Sequence, residues 1–290
     1  PLGIASSSVV SRVKKKLNAR KVGHGGTLDP LATGLLPIAL GEATKTVSYI
    51  MDGRKTYVFS VKWGTSTSTD DAEGQVIKTC VRVPTSLEIE NVIPNFVGEI
   101  QQVPPQFSAV RVNGKRAYQL ARQNRLINLL PRPVNVHSLS FLENIKFDES
   151  LFKVQSGKGF YVRSLARDLG EALGTFAHVK TLRRTSVGPF FENESISLDS
   201  LDVLGHSAIE SKHFFGIESV LNEIPALNLN ASDALRLKQG QVLPAALALG
   251  CSYGPITGHL DVVAAMAEGK VVAIAKVKDG EIMPRRVFNN

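Results

Sequence analysis

Residues 23–45, reading GHGGTLDPLATGLLPIALGEATK, constrain this chain more than any other stretch. Glycines at 23, 25, 26, 34 and 41 surround a single carboxylate, Asp29, set between Leu28 and Pro30. Glycine opens backbone conformations that a side chain forbids, and Pro30 biases Asp29 away from the helical region. The segment therefore reads as a tightly turned, partly apolar loop that holds one acid in a fixed pose, either as a nucleophile or as a buried structural acid. An ordinary Asx turn at Asp-Pro has the same sequence, and on these residues alone it is the commoner outcome.

The rest of the chain bounds what such a loop could serve. With 290 residues there is room for a real core and for two domains. A 43% hydrophobic and 21% charged composition suits a globular chain rather than a disordered one. No apolar run approaches the ~20 residues of a membrane span, and Pro1-Leu2-Gly3 begins no signal pattern, so no membrane association is expected. Cys80 and Cys251 are too few for a disulfide framework or a zinc site and read as reduced thiols of a cytoplasmic protein. His137, His178, His206, His213 and His259 show no metal-ligand spacing. The formal charge of +8 favours a polyanionic partner such as nucleic acid. No GxxxxGK[ST] occurs, and residues 23–26 fit no dinucleotide fingerprint, which sets nucleotide-triphosphate chemistry aside.

Patterning places the elements. Ser6 to Ser8 offer N-caps for a helix over 9–18, with Val9, Val10, Val13 and Leu17 on one face. Residues 55–63 alternate as a strand that puts Tyr57, Phe59, Val61 and Trp63 together. Residues 64–74 form a Ser/Thr/Asp/Gly-rich loop after it. Further strands are expected over 134–142 and 151–155, and a helix over 164–173 with Leu165, Leu169, Ala172 and Leu173 on one stripe. Mixed helices and strands without a βαβ rhythm predict an α+β fold. Residues 104–133 carry Arg111, Lys115, Arg116, Arg122, Arg125 and Arg132 with almost no acid, and a short helix is expected over 115–124. Such a run is usually a solvated face, but its density points to RNA contact. Toward the C-terminus, a capped helix over 232–240 precedes a hairpin over 262–277 turning at Glu268-Gly269.

An ordered set of motifs resembles the TruB family of tRNA pseudouridine synthases. The 23–45 stretch resembles its central motif, and Arg54-Lys55-Thr56-Tyr57 its second. The loop of Gly64-Thr65 to Asp71-Ala72-Glu73-Gly74, then Val103-Pro104-Pro105-Gln106-Phe107-Ser108-Ala109, follow in the family's order. So do the run from Gly157 through Tyr161 and Arg163 to Gly170, and Ala177-His178-Val179 leading to Leu182-Arg183-Arg184. Two positions depart from the pattern: Gly25 stands where the family commonly has Thr, and Ser68 where it usually has Asp. The family's Lys-Pro-x-Gly would place its lysine just before residue 1.

The resemblance implies a mixed-sheet catalytic domain over 1–223, a basic RNA-gripping insertion over 104–133, and a β-rich PUA-like RNA-binding domain over 224–290. It implies isomerisation of uridine 55 in the T loop of tRNA, with the T arm as binding partner, no cofactor and no metal, in a cytoplasmic enzyme with monomer as the default. Help with tRNA folding is also expected. Asp29 matches the nucleophile, Arg163 the arginine that keeps it ionised, and Tyr57 the aromatic that stacks on the flipped base. Tyr161 and Leu182 match positions that shape the uracil pocket, and His24 one beside the flipped nucleotide. A paired guanidinium is expected to pull the Asp29 pKa down. A non-catalytic RNA chaperone and a glycoside hydrolase are the competing readings; a retaining hydrolase would need a second carboxyl about 5 Å from the first.

Overall fold

The computed structural model describes all residues except 113, 124–126, 211, 223, 252–258 and 290. The chain divides into two compact units, each discontinuous in sequence. One comprises Pro1–Val9, Gly26–Pro37 and Met51–Ser197; the other comprises Val10–Gly25, Ile38–Ile50 and Leu198–Asn290. Helices and sheets mix in both, as the α+β pattern predicts.

A seven-stranded sheet organises the first unit. Its order is Phe190–Phe191, Ala177–Val187, Lys55–Trp63, Glu149–Ser156, Arg132–Lys146 and Gly98–Gln102, with Ala32–Gly34 added parallel to Ala177–Val187. Tyr57, Phe59, Val61 and Trp63 share one apolar cluster as expected, while Ser60 on the opposite face is buried as well. Phe59, Val61 and Trp63 are buried, Phe59 stacks on Phe152 at 5.5 Å, and Trp63 meets Phe152 edge-on at 6.2 Å. Trp63 donates its indole N–H to Ser150 Oγ at 2.7 Å, which satisfies a buried polar atom inside the aromatic cluster.

The helix Val162–Ala172 lays Leu165, Ala166 and Leu169 on this core, with Leu173 just past its end. Ala172, expected on that stripe, faces solvent, and Ala166 takes its place. Gly174, at φ +66, ends the helix. Thr175 N–H donates to Gly170 O and Gly174 N–H to Glu171 O, the paired bonds of a Schellman cap.

Two helix expectations are corrected. The first helix runs Ser6–Lys16 rather than 9–18. Asn18 adopts φ +44 and closes it with the same paired bonds, Ala19 N–H to Lys14 O and Asn18 N–H to Lys15 O. In the basic insertion Arg111–Val112 and Lys115–Arg116 pair as a hairpin, and the helix is only Ala117–Ala121. Asn124 and Arg125 lie outside the described residues. Ala117 is fully buried with Val110, Ile127 and Leu129, while Arg111, Lys115, Arg116, Arg122 and Arg132 are exposed. Apolar residues on one side fix the insertion and its cations face out.

The second unit holds a six-stranded sheet in the order Leu243–Pro244, Glu281–Val287, Lys270–Lys278, Leu260–Ala267, Ala226–Asn228 and Gly250–Cys251. Glu268-Gly269 and Asp279-Gly280 make its two tight turns, with φ of 50 and 75 at the first and 53 and 77 at the second. Two left-handed residues in succession form the two-residue turn whose twist matches that of paired strands. The helix Ala231–Lys238 is capped by Asn230, which accepts from Asp233 N–H at 2.8 Å, one residue earlier than expected.

Candidate active site

Asp29 closes a β-turn with its backbone. Ala32 N–H donates to Asp29 O at 2.9 Å, with Pro30 at the second turn position where its fixed φ is favoured. The turn suggested by Asp-Pro is therefore real, and the carboxylate is left for another partner. Two contacts brace the loop from outside it. Ser6 Oγ bonds to both the N–H and the C=O of Leu28, at 2.9 and 3.2 Å, and Gly3 N–H donates to Pro30 O at 2.8 Å. Ser6 sits at the start of its helix and is spent on this loop.

Arg163 comes from the first turn of the helix Val162–Ala172. Its Nε lies 2.9 Å from Asp29 Oδ2. Its Nη1 lies 3.5 Å from Asp71 Oδ2 and donates to Thr69 O at 3.2 Å, while Nη2 donates to Phe107 O at 3.1 Å. A cation at a helix N-terminus opposes the helix dipole; here two carboxylates and two carbonyls satisfy it. The Arg163 side chain is 6% exposed, whereas Asp29 keeps 36% of its side-chain surface accessible, so the acid faces outward from a buried guanidinium. Asp71 is the buried one of the two carboxylates. It accepts from the Thr69 hydroxyl and, at 3.0 Å, from Glu73 N–H.

The expected depression of the Asp29 pKa is corrected. Burial is the larger effect and pushes the Asp29 carboxyl above its ordinary value. Arg163 pulls it down, Asp71 adds to the rise, and Arg184 opposes it more weakly.

Tyr57 and Arg184 are direct cross-strand partners in the pairing of Lys55–Trp63 with Ala177–Val187. Burial pushes the Tyr57 phenol up, and the Arg184 guanidinium, hydrogen-bonded to it, works against that rise. Arg184 is 1% exposed and reaches back into the glycine loop. Nε donates to Leu35 O at 2.9 Å, Nη2 to Gly26 O at 2.9 Å, and Nη1 to Thr27 O at 3.4 Å. Gly34 is needed beside it: at φ +100, a Cβ there would lie 2.2 Å from Arg184 O.

Leu182 is buried on the same strand and belongs to the apolar cluster that Leu28, Leu31 and Tyr57 pack against. Tyr161 immediately precedes the Arg163 helix and joins the apolar cluster of the insertion. Burial pushes its phenol up, and the Asp29 and Arg163 charges both act on it. The structure thus brings Asp29, Arg163, Tyr57, Tyr161 and Leu182 into one neighbourhood. His24 belongs to the second unit, at the end of the strand Val22–His24 paired with Ile38–Leu40.

Two contributors escaped the sequence reading as site residues, Asp71 and Arg184. The signal for Arg184 was period-two alternation, which puts it on the face of Leu182 while Arg183 turns to solvent. Asp71 had no comparable local signal. At the Ser68 departure the hydroxyl accepts from Gln75 N–H at 3.1 Å and keeps the loop closed. Among the described residues, no group of three or more His, Cys, Asp or Glu side chains is gathered to hold a metal ion.

Residues 14–162 match the model of the TruB family pseudouridylate synthase N-terminal domain, and residues 163–220 that of the tRNA pseudouridylate synthase B C-terminal domain. The chain belongs to the TruB family. Relatives in it include the tRNA pseudouridine synthase B of Rhodospirillum rubrum, 50% identical over all of this chain and 94% of that protein. That of Bradyrhizobium diazoefficiens is 46% identical over all of this chain and 84% of that protein. Among solved structures, a Cbf5-Nop10-Gar1 complex matches with TM-score 0.76 and 29% identity, covering all of this chain and 83% of that one. An H/ACA RNP bound to a substrate RNA containing 2'-deoxyuridine matches with TM-score 0.74 and 26% identity, covering all of this chain and 83% of that one.

Proposed function

We propose that this chain converts uridine to pseudouridine in tRNA, at position 55 of the T loop, with Asp29 as nucleophile. The observation that carries the reading is the half-buried Asp29 carboxylate held on the buried Arg163 guanidinium at 2.9 Å. The names of the full-length relatives support the tRNA substrate.

The reaction breaks the N1–C1′ glycosidic bond, turns the uracil, and forms C5–C1′. The C5 proton is lost and N1 gains one, so product and substrate are isomers and no cofactor is required. Asp29 acts at the ribose, either by bonding to C1′ or by taking the C2′ proton to give a glycal. Arg163 and Asp71 hold its direction, since a fixed carboxylate near the reacting atom removes much of the orientational cost. A base inside a folded loop must be extruded first, at a cost of a few kcal/mol. Stacking on an aromatic returns about 1–3 kcal/mol, and Tyr57 is assigned that platform. Its hydroxyl gives its proton to N1, Arg184 beside it stabilises the phenolate that is left, and that phenolate takes the C5 proton once C5–C1′ has formed. Tyr161 and Leu182 form the walls of the uracil site, and His24 stabilises the rearranged RNA loop.

In this reading residues 1–223 are the catalytic domain, the exposed cations of 104–133 grip the T arm, and 224–290 form a PUA-like RNA-binding domain. The enzyme works as a cytoplasmic monomer and assists tRNA folding through the same contacts. Among the described residues no helix is long and apolar enough to cross a membrane. Mapping pseudouridine in an unmodified tRNA transcript after incubation with the protein tests the assignment. Product confined to the T-loop position supports it, and product elsewhere or none refutes it. Refolding of misfolded tRNA by Asp29→Ala at the wild-type rate would support the folding role, and its loss would remove it.

A further inference from the structure

We infer that Gln102 is a positioning residue for this reaction: its carboxamide fixes the peptide of Tyr161 and, through it, the start of the helix that carries Arg163 to Asp29. The inference rests on the roles given above to Tyr161 and Arg163.

Gln102 ends the edge strand Gly98–Gln102 and is 1% exposed. Its Oε1 accepts from Tyr161 N–H at 2.8 Å, and its Nε2 donates to Tyr161 O at 3.1 Å. The Gln carboxamide is uncharged at every working pH and presents a donor and an acceptor side by side, and here both are spent on one residue. Tyr161 sits where this matters. It is the N-cap of the helix Val162–Ala172, makes no side-chain cap, and uses its carbonyl for Leu165 N–H at 3.1 Å. Its own N–H has no helical partner, and a buried N–H without one is costly. Gln102 supplies that partner from a fixed base, because its backbone is in register with Arg132 on the neighbouring strand.

The same segment continues to clasp the helix. Ser164 Oγ donates to Val103 O at 2.7 Å, Arg167 to Val103 O at 2.9 Å, and Arg163 to Phe107 O at 3.1 Å. Those bonds hold side chains; the Gln102 pair holds the backbone two residues before Arg163. Loss of the pair lets the Tyr161 peptide turn, which moves the pocket wall and the guanidinium that aims Asp29. Misplacement on the ångström scale costs about 100-fold in rate.

The test uses the full chain with an unmodified T-arm transcript, and compares wild type, Gln102→Met and Gln102→Glu for kcat, KM, RNA Kd and Tm. Gln102→Met removes both bonds at similar volume; kcat is expected to fall about 10- to 100-fold, with RNA Kd within about threefold of wild type. Gln102→Glu adds a pH signature. The ionised acid still accepts from Tyr161 N–H but offers nothing to Tyr161 O, whereas the protonated acid regains a donor and mimics the amide. Its activity relative to wild type should therefore rise as pH falls, against the direction of the wild-type acid limb. Loosening of the fold by an ionised buried acid would lower Tm in step with activity, so a ratio that rises while Tm holds decides the matter if Gln102→Met does not fold. Wild-type turnover in Gln102→Met, a flat ratio in Gln102→Glu, or a change confined to Kd would each overturn the inference. No product from the wild type would instead overturn the functional reading, and the inference with it.

Discussion

Asp29 is held in a compromise between exposure and charge. Burial raises its pKa, and Arg163 is the chief influence pulling it back. An acid whose folded pKa is raised binds its proton more tightly in the native state. Stability therefore falls as pH rises from the unfolded value through the folded one, while activity, which on the proposed mechanism needs the ionised form, rises through the folded value. The acid limb of kcat/KM is expected above the ordinary aspartate pKa of about 3.9, and Arg163→Gln should move it higher still; a limb at or below that value would contradict the assignment. Gly34 tests the other support of the loop. With φ +100 and Arg184 O only 2.2 Å from a built Cβ, Gly34→Ala forces both strain and a clash. Its expected cost in a denaturant melt is at least about 1–3 kcal/mol, and a neutral result would mean that the loop can give way there.

At the scale of elements, the site is a loop and a helix locked by repeated ion pairs. Arg163 and Arg167, one turn apart on the helix, reach the adjacent Asp71 and Asp70 of the loop after the second motif. Asp70 adopts φ +60, tolerable for aspartate but not favoured, and Arg167 Nη1 holds it at 3.1 Å. Arg167→Met leaves that partly buried carboxylate without its ion pair and should cost about 1–3 kcal/mol, with kcat falling because Asp71 shares the loop. Unchanged stability and rate would show that the latch is unused.

How far the sequence could be read follows from the same elements. The shared apolar face of Phe59, Val61 and Trp63 and the Leu165–Leu169 stripe follow from their periods, so the central strand and helix were legible, though not the burial of Ser60 on the other face. Ser6 was not, since its pattern suits an N-cap while its hydroxyl is claimed by Leu28, twenty-two residues away. Lys115 and Arg116 looked helical but are held in a hairpin with Arg111–Val112. The ordered motifs picked out Asp29 and Arg163; the role of Asp71 as a shared counter-charge depends on a fold-level approach that no local spacing encodes.

At the scale of the molecule, the proposed RNA grip rests on the net charge of +8 and the outward cations at Arg111, Lys115, Arg116, Arg122 and Arg132. Each phosphate contact on a duplex arm should contribute about 0.9 to the slope of log affinity against log salt. Substituting Arg116 and Arg122 together by Gln should flatten the slope by about 2 and leave single-turnover rate at saturation nearly unchanged. An unaltered slope would remove the insertion from the RNA grip. The most direct test of the central claim is single-turnover isomerisation by Asp29→Asn at saturating T-arm transcript, with RNA affinity and melting temperature measured alongside. The account expects no detectable pseudouridine, RNA affinity within a few-fold of wild type, and a melting temperature at neutral pH no lower than wild type. Turnover near the wild-type rate would show that Asp29 is not the nucleophile, and parallel collapse of affinity and stability would show that its role is structural.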